Sequence, residues 1–149
     1  MEYSVPEETL KLDQIGCMYT PHILGIQVGQ KLMIHNSDDT IHNVSIVARK
    51  NKARNYGQPS GSKPRGYTFK KEELKVRFKC DIHPWMNAYV FALDHPFFAV
   101  SDESGAFNIS GLPAGEYNVT AWHEKFGEKT GTVTVDDNGT GKVDFTFSS

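Results

Sequence analysis

The sequence predicts an all-β protein in which one β-sandwich is followed by a smaller β-sandwich module. Three observations support this fold class: apolar and polar residues alternate in short segments, clusters of turn-forming residues separate the segments, and no stretch has a helical apolar period. The 149 residues, 38% of them hydrophobic and 23% charged, suit a globular chain of one ordinary domain or two very small ones. All apolar runs are strand-sized, so we expect no membrane span.

The N-terminal part contains the clearest strand signals. Residues 26–28 and 31–34 are predicted to be strands joined by a tight turn at Gly29-Gln30. Three further alternating segments follow, at residues 43–47, 74–78 and 88–92. Residues 51–67 are rich in Gly, Pro, Ser and Lys and break the alternation, so a long connection is predicted there.

After about residue 94 the sequence changes character. Turn clusters separate four short predicted strands at intervals of about ten residues. The clusters are residues 101–105, 110–115, 125–127 and 136–141. Five side chains alternate towards a predicted core: Phe107, Ile109, Tyr117, Val119 and Ala121. We therefore predict two domains, residues 1–95 and 96–149.

Charge is unevenly distributed along the chain. The net charge of −2 argues against a general nucleic-acid-binding protein. Between Arg49 and Lys79, however, eleven basic residues face two acidic ones, a local charge of +9 that leaves −11 for the rest. This basic band is either a solvated loop with a Lys-rich edge strand or a docking surface for an acidic partner.

One short segment concentrates metal-binding chemistry. Cys80, His83 and Met86 place a thiol, an imidazole and a thioether within seven residues. Soft sulfur together with imidazole suits copper. In one kind of protein copper site, a Cys and two His form a trigonal plane and a Met is a distant axial ligand. A second histidine is needed, and His42 precedes a strand that could run beside the one carrying Cys80. The sequence thus predicts one copper site with four ligands: His42, Cys80, His83 and Met86.

These residues resemble the cupredoxin family, and most closely its amicyanin and plastocyanin branch. The resemblance rests on four motifs: the segment from Asn36 to His42-Asn43, the ligand loop from Cys80 to Met86, Tyr19-x-Pro21, and Val28-Gly29. It covers about residues 15–93. It implies a Greek-key β-sandwich with a blue, type 1 copper site for electron transfer.

The resemblance also implies roles for neighbouring residues. Asn43 ties the His42 strand to the ligand loop, as outer partners of metal ligands commonly do. Asp81 stands where the relatives often have a hydroxyl residue, and its carboxylate is expected to favour Cu(II) and lower the reduction potential. Electrons are expected to leave through the edge of His83.

Pro84 and Trp85 are expected to frame that edge as an exposed apolar patch for partner docking. The alternative for Trp85 is plain core packing. The expected partner is a redox protein, such as a cytochrome or a copper enzyme, docking through this patch and the basic band. No nucleic acid is expected as a partner.

Cys17 departs from the family pattern, because the relatives commonly have an apolar residue there. Three interpretations remain: a buried free thiol, a disulfide with Cys80 that abolishes the blue site, and an extra ligand of an unusual copper centre. His22 lies five residues on and is an additional candidate ligand. For His22 alone, a surface or hydrogen-bonded role is also consistent with the sequence.

The remaining histidines and the two pairs of adjacent aspartates are interpreted as structural. His35, His95 and His123 lie in or at the ends of strands, and the pairs Asp38-Asp39 and Asp136-Asp137 lie in turn-like contexts. An oxidase or nitrite reductase is disfavoured, because no second cluster of histidines has ligand spacing. That conclusion would change if His22, His35 and His95 met in space.

The C-terminal part resembles a different family, the carboxypeptidase-regulatory-like modules with a transthyretin-type β-sandwich. The resemblance rests on residues 101–105, Phe107 and the Leu112-Pro-Ala-Gly-Glu-Tyr117 motif, and covers about residues 97–147. It indicates fold rather than function. We expect this module to pack on the first sandwich.

The leading hypothesis is a non-enzymatic blue copper electron carrier. The first alternative is a copper storage, delivery or sensing protein with an unusual centre involving Cys17. The second is a structural or carbohydrate-contacting module with a vestigial metal site. Both resembled families work outside the cytoplasm, which implies a periplasmic or extracellular location, although the residues at the start lack the features of a secretory signal.

Overall fold

The computed structural model describes residues 3–148; Met1, Glu2 and Ser149 lie outside the described residues. The strands of this part are β1 (Leu10–Ile15), β2 (Met18–Thr20), β3 (Ile23–Gln27), β4 (Lys31–Asn36), β5 (His42–Val47), β6 (Arg54–Gln58), β7 (Arg65–Thr68), β8 (Glu73–Lys79), β9 (Asn87–Leu93), β10 (Gly115–His123) and β11 (Gly127–Val135). No segment between residues 3 and 148 is a helix that could span a membrane. The predicted all-β class is confirmed.

The chain divides into two units, Met1–Phe107 and Asn108–Ser149. The first unit contains a four-stranded sheet in the order β2-β1-β4-β7 and a five-stranded sheet in the order β3-β9-β8-β5-β6. The pairs β1–β4 and β3–β9 are parallel, and the other strand pairs of these sheets are antiparallel. The predicted division into domains at residues 95 and 96 stays a prediction.

The two sheets of the first unit contribute to one hydrophobic core. Strand β4 contributes Leu32 and Ile34, and β9 contributes Val90, all of them fully buried, while the alternate residues are only half-buried or exposed. Full burial of each such aliphatic side chain stabilises the fold by about 1.5–3 kcal/mol. The alternation that predicted these strands is therefore the alternation that forms the core.

Two strands lie where the sequence predicts a long connection. Strand β6 pairs with β5, and β7 pairs with β4, so the prediction of an irregular segment over residues 51–67 is wrong. Both lie at the edges of their sheets and carry mostly polar, exposed residues, as edge strands commonly do. Such strands lack the alternation that marks a half-buried one.

The second unit contains an antiparallel hairpin, β10–β11, with Gly115 opposite Val135 and His123 opposite Gly127. A small β module is confirmed, but the described residues after residue 94 form two strands rather than the predicted four. Phe107 is 39% exposed, so its predicted place in a core is wrong. Tyr117, Val119 and Ala121 of β10 are partly buried and alternate with exposed residues as predicted, although Trp122 is partly buried as well.

Candidate metal centre

Three of the predicted ligands come together at one point. The Nδ1 atoms of His42 and His83 lie 3.2 Å apart, and the Cys80 Sγ lies 3.7 Å from His83 Nδ1. One ligand atom from each of these residues lies within 4.8 Å of the others. His42 is fully buried and Cys80 is 2% exposed, whereas His83 is half-buried. The group therefore opens towards solvent on the side of His83.

Strand pairing explains why these residues meet. Strand β5 begins at His42 and runs antiparallel to β8, which ends just before Cys80. The start of β5 and the end of β8 thus lie side by side at the same end of the sheet, as the sequence predicts. The loop after β8 closes on itself, because the Cys80 N–H donates to the Met86 carbonyl at 3.3 Å and the Met86 N–H donates to the His83 carbonyl at 3.0 Å.

Met86 lies at the base of this loop and is fully buried in the hydrophobic core. Its backbone closes the ligand loop, and its thioether is shielded from water by the same core. Its role as the axial ligand stays a prediction.

Asn43 joins β5 to the ligand loop. Its backbone N–H lies 3.4 Å from the Cys80 Sγ, and its side-chain carbonyl accepts a hydrogen bond from the Asp81 N–H at 3.1 Å. Its side-chain amide donates to the side-chain oxygen of Asn55 at 2.6 Å and to the backbone carbonyl of Tyr56 at 3.3 Å. A backbone donor at sulfur stabilises a thiolate, and the side chain links the loop to β6.

The Asp81 carboxylate has partners of its own in Lys79 and Asn55. One oxygen lies 3.3 Å from the Lys79 ammonium, and the other accepts a hydrogen bond from the Asn55 amide at 3.3 Å. Its side chain is 46% exposed, so water and the lysine screen its charge. Its predicted effect on the reduction potential remains an expectation.

Asp38 is a site residue that the sequence analysis assigned to a turn. Its carboxylate accepts a hydrogen bond from His42 Nε2 at 2.7 Å and from the backbone N–H groups of Gly16 and Cys17 at 2.7 and 2.9 Å. Burial raises the pKa of Asp38, but these hydrogen bonds outweigh it and hold the pKa below its ordinary value. Because Nε2 carries the proton shared with the carboxylate, the Nδ1 lone pair of His42 is left for a metal ion.

A polar network supports the segment that leads to His42. Gln58, which pairs with His42 across β5 and β6, accepts a hydrogen bond from the Gln14 amide at 2.7 Å and donates to the Ile34 carbonyl at 2.9 Å. The Asn36 amide donates to the Gln58 and Thr40 carbonyls, both at 2.9 Å. These contacts join distant parts of the chain, so spacing in the sequence gave no sign of them.

Cys17 and Cys80 are both free, so the disulfide considered from the sequence is not formed. Cys17 is half-buried rather than buried, and its Sγ lies 3.9 Å from His83 Nε2. One ligand atom from each of Cys17, Asp38 and His42 also lies within 4.8 Å of the others. Cys17 therefore lies beside the group formed by the predicted ligands, on the other side of the His83 ring.

His22 takes no part in either group. It is exposed, its Nδ1 lies 2.9 Å from the Asn87 carbonyl, and its ring packs edge-on against Tyr89. Within residues 3–148, the candidate metal groups also contain none of His35, His95 and His123. The convergence of His22, His35 and His95 that would indicate a second centre is thus not formed.

Trp85 packs against the ring of His83. The two rings pack edge-on with centroids 5.1 Å apart, and the indole N–H donates to the Cys17 carbonyl at 2.8 Å. Trp85 is 56% exposed, so core packing, the alternative considered for it, is wrong. Pro84 and Ile82 are exposed beside it. The loop therefore presents apolar surface next to His83.

The architecture is shared with solved structures of low sequence identity. Amicyanin from Paracoccus versutus is 20% identical, with a TM-score of 0.50 over 59% of this chain and 84% of that chain. The copper-containing nitrite reductase from Thermus scotoductus is 17% identical, with a TM-score of 0.50 over 64% of this chain and 26% of that chain. The purple cupredoxin from Nitrosopumilus maritimus is 21% identical, with a TM-score of 0.48 over 56% of this chain and 98% of that chain.

The chain contains a cupredoxin fold. The expected Greek-key β-sandwich is thereby confirmed, and the His42, Cys80 and His83 group lies within this cupredoxin sandwich. A search of curated proteins finds no match to the sequence.

A second comparison concerns the C-terminal part. The family model of the carboxypeptidase regulatory-like domain matches residues 76–148. This match begins within β8, about twenty residues before the predicted start, and so includes the ligand loop and β9 of the cupredoxin fold as well as the hairpin. The predicted resemblance to this family is confirmed.

Proposed function

We propose that this protein binds one copper ion and carries single electrons between redox partners. His42, Cys80, His83 and Met86 would hold the ion. The observation that carries the proposal is the convergence of two imidazole Nδ1 atoms and a buried sulfur, with separations of 3.2 and 3.7 Å. This donor set is the soft one that copper prefers. The copper-containing nitrite reductase of the same fold supports the assignment.

The residues around the group suit electron transfer because they hold the ligands in fixed positions. Asp38 fixes the ring of His42, Asn43 holds the Cys80 sulfur, and hydrogen bonds close the ligand loop. Copper bound there supplies a one-electron couple, Cu(II)/Cu(I). A fixed ligand set has little to rearrange when the charge changes, so the cost of each electron transfer is small. The filled ligand set leaves no position for a substrate, which is why we propose a carrier and no enzymatic activity.

The proposed exit for electrons is the half-buried edge of His83. Trp85, Pro84 and Ile82 surround it with apolar surface suited to brief contact with a redox protein, such as a cytochrome or a copper enzyme. The basic band between Arg49 and Lys79 favours a partner with an acidic surface. A periplasmic or extracellular location follows from the same proposal.

Copper delivery is a second candidate function. It is favoured by one observation, the half-buried thiol of Cys17 at 3.9 Å from His83 Nε2. A delivery protein gives its copper readily to a strong chelator, whereas a carrier keeps copper through many cycles of oxidation and reduction.

The test is voltammetry and optical titration of reduced protein loaded with one equivalent of copper. We expect an intense visible thiolate-to-copper band and a reversible one-electron wave. Cys80→Ser is expected to abolish the band and His42→Ala to weaken or shift it, whereas Cys17→Ser is expected to leave it nearly unchanged. A strong chelator is added during oxidation and reduction cycles, and loss of copper to it would favour delivery. Absence of the visible band in the unmodified chain would contradict the proposal.

A further inference from the structure

His83 has a cysteine sulfur beside each of its ring nitrogens. Nδ1 faces the Cys80 Sγ at 3.7 Å, and Nε2 faces the Cys17 Sγ at 3.9 Å. The two nitrogens of an imidazole point in different directions, so an ion bound at Nδ1 cannot also be bound at Nε2. An ion held by the Cys17 sulfur and Nε2 would therefore occupy a different position from one held by Cys80 and Nδ1.

The atoms around the Cys17 sulfur have the chemistry of a metal site. Its distance from His83 Nε2 is 3.9 Å. A metal–sulfur and a metal–nitrogen bond sum to about 4.3 Å for zinc, the largest separation that a bridging ion allows, so 3.9 Å fits a bent bridge between these two atoms. An oxygen of the Asp38 carboxylate also lies within 4.8 Å of the sulfur and is a further donor. Thiolate with imidazole is a donor pair for soft ions such as Cu(I).

The backbone of Cys17 is held in an uncommon conformation that fixes this sulfur in place. Its φ is 56°, in the left-handed region that residues other than glycine seldom adopt. The Asp38 carboxylate accepts its N–H, and its carbonyl accepts the indole N–H of Trp85. Contacts with two separate loops therefore hold the turn where its side chain reaches His83.

The two positions differ in access from solvent. Cys80 is 2% exposed and Met86 is fully buried, whereas Cys17 and His83 are half-buried. A metal ion arriving from solvent therefore meets the Cys17 sulfur and His83 Nε2 before it meets Cys80.

We propose that Cys17 and His83 Nε2 form an outer Cu(I)-binding position through which copper reaches the buried ligands. This inference rests on the proposed function and adds the route of loading. Cu(I) is first held by the Cys17 thiolate, whose proton goes to water, and by His83 Nε2, with the ring proton on Nδ1. Copper then passes to the Cys80 thiolate, whose proton also goes to water, and to His83 Nδ1. The ring proton moves to Nε2 through water, and Cys17 takes a proton back. Copper stays Cu(I) throughout, and one proton is released in total. Neutral His83 has one lone pair, so the two positions are filled in sequence.

The test is stopped-flow transfer of Cu(I) from a coloured chelator to reduced, metal-free protein. In the unmodified chain we expect a fast phase from the outer position and a slower one from the buried ligands. Cys17→Ser is expected to lose the fast phase and to load at least about tenfold more slowly, with the same final stoichiometry and the same visible band after oxidation. Met18→Leu, which removes the exposed neighbouring sulfur, is the matched control and is expected to load normally.

A second variant, Cys80→Ser, keeps Cys17, so it tests the outer position even if Cys17→Ser does not fold. We expect it to keep the fast phase, to lose the slow one, and to show slower alkylation of Cys17 when one equivalent of Cu(I) is present. Unchanged loading in Cys17→Ser, or a changed visible band, overturns the outer position. A fast phase that needs Cys17 in a protein without any visible band overturns the proposed function and leaves the outer position standing.

Discussion

The Asp38 carboxylate lies 2.7 Å from Nε2 of His42, a residue that is fully buried. The same carboxylate binds the backbone N–H groups of Gly16 and Cys17. One side chain therefore sets the ring orientation of a proposed copper ligand and the position of the turn that faces His83. A carboxylate partner also makes the imidazole a stronger ligand, which favours the higher charge of Cu(II).

The first prediction concerns Asp38→Asn. The amide is neutral and one of its two acceptor oxygens is lost, so we expect the affinity for copper to fall about 10–100-fold and the reduction potential to rise. Competition with a chelator and voltammetry measure the two effects. Asp39→Asn removes the same charge from the exposed neighbouring residue and serves as the control. Equal effects of the two variants would show that the copper affinity and the reduction potential depend on the overall charge and not on the contact between Asp38 and His42.

The second prediction concerns the exit for electrons. Ile82 is 51% exposed in the ligand loop, and Ile82→Lys places a charge on the apolar surface beside His83. When two copies meet through this surface their lysines repel, so we expect electron self-exchange to slow about tenfold at low salt. Line broadening in NMR spectra of mixed reduced and oxidised protein measures the rate. Val100→Lys, at an equally exposed position, is the control and should change the rate little.

The third prediction concerns Glu73 and acid stability. This side chain is 8% exposed and accepts hydrogen bonds from the backbone N–H groups of residues 49–51 and from the Asn51 amide. Burial raises the pKa of Glu73, but these hydrogen bonds outweigh it and leave the pKa below its ordinary value. The stability that Glu73 contributes is therefore full above the pKa it has in the unfolded chain, and is lost as the pH falls through its lower folded value.

Glu73→Gln is expected to lower the free energy of unfolding at neutral pH by about 1–3 kcal/mol and to flatten the acid side of the stability profile. Urea denaturation at several pH values measures both effects. Glu72→Gln changes the exposed neighbour and should leave the profile nearly as it is. An unchanged acid profile in Glu73→Gln would contradict the role given to this carboxylate.

The fourth prediction concerns the core beneath the ligand group. Phe78 is fully buried in β8, two residues before Cys80, so Phe78→Ala is expected to destabilise the fold by about 3–5 kcal/mol through the cavity it leaves. Leu74→Ala, in the same strand, removes a side chain that is 48% exposed and should cost much less. Chemical denaturation of the metal-free variants measures the difference. Similar losses would show that β8 is not oriented as described.

Local patterns predicted much of the cupredoxin sandwich and the ligand group. Cys80 and His83 lie three residues apart, and the strand that follows His42 alternates visibly, so both signals are contained in short windows. Asp38 was missed because its partners at Gly16 and Cys17 come from a distant turn. The sequence left three interpretations of Cys17 open, because only the folded chain places its sulfur against Nε2 of His83.

The edges of the structure were the hardest part to predict. Strands β6 and β7 lie at the edges of their sheets and carry mostly exposed, polar residues, as edge strands commonly do, so hydrophobic alternation does not mark them. After residue 94, the spacing of turn residues suggested four strands, but two of those segments form no ladder within the described residues. Turn residues indicate where the chain bends and do not ensure that the flanking segments pair.

X-ray absorption at the copper edge tests the central claim most directly, using the full chain loaded with one equivalent of copper. The account predicts one short copper–sulfur bond and two imidazole nitrogens as the nearest neighbours, with the sulfur lost in Cys80→Ser and kept in Cys17→Ser. Copper surrounded only by nitrogen and oxygen, or a sulfur that disappears with Cys17 instead, would contradict it.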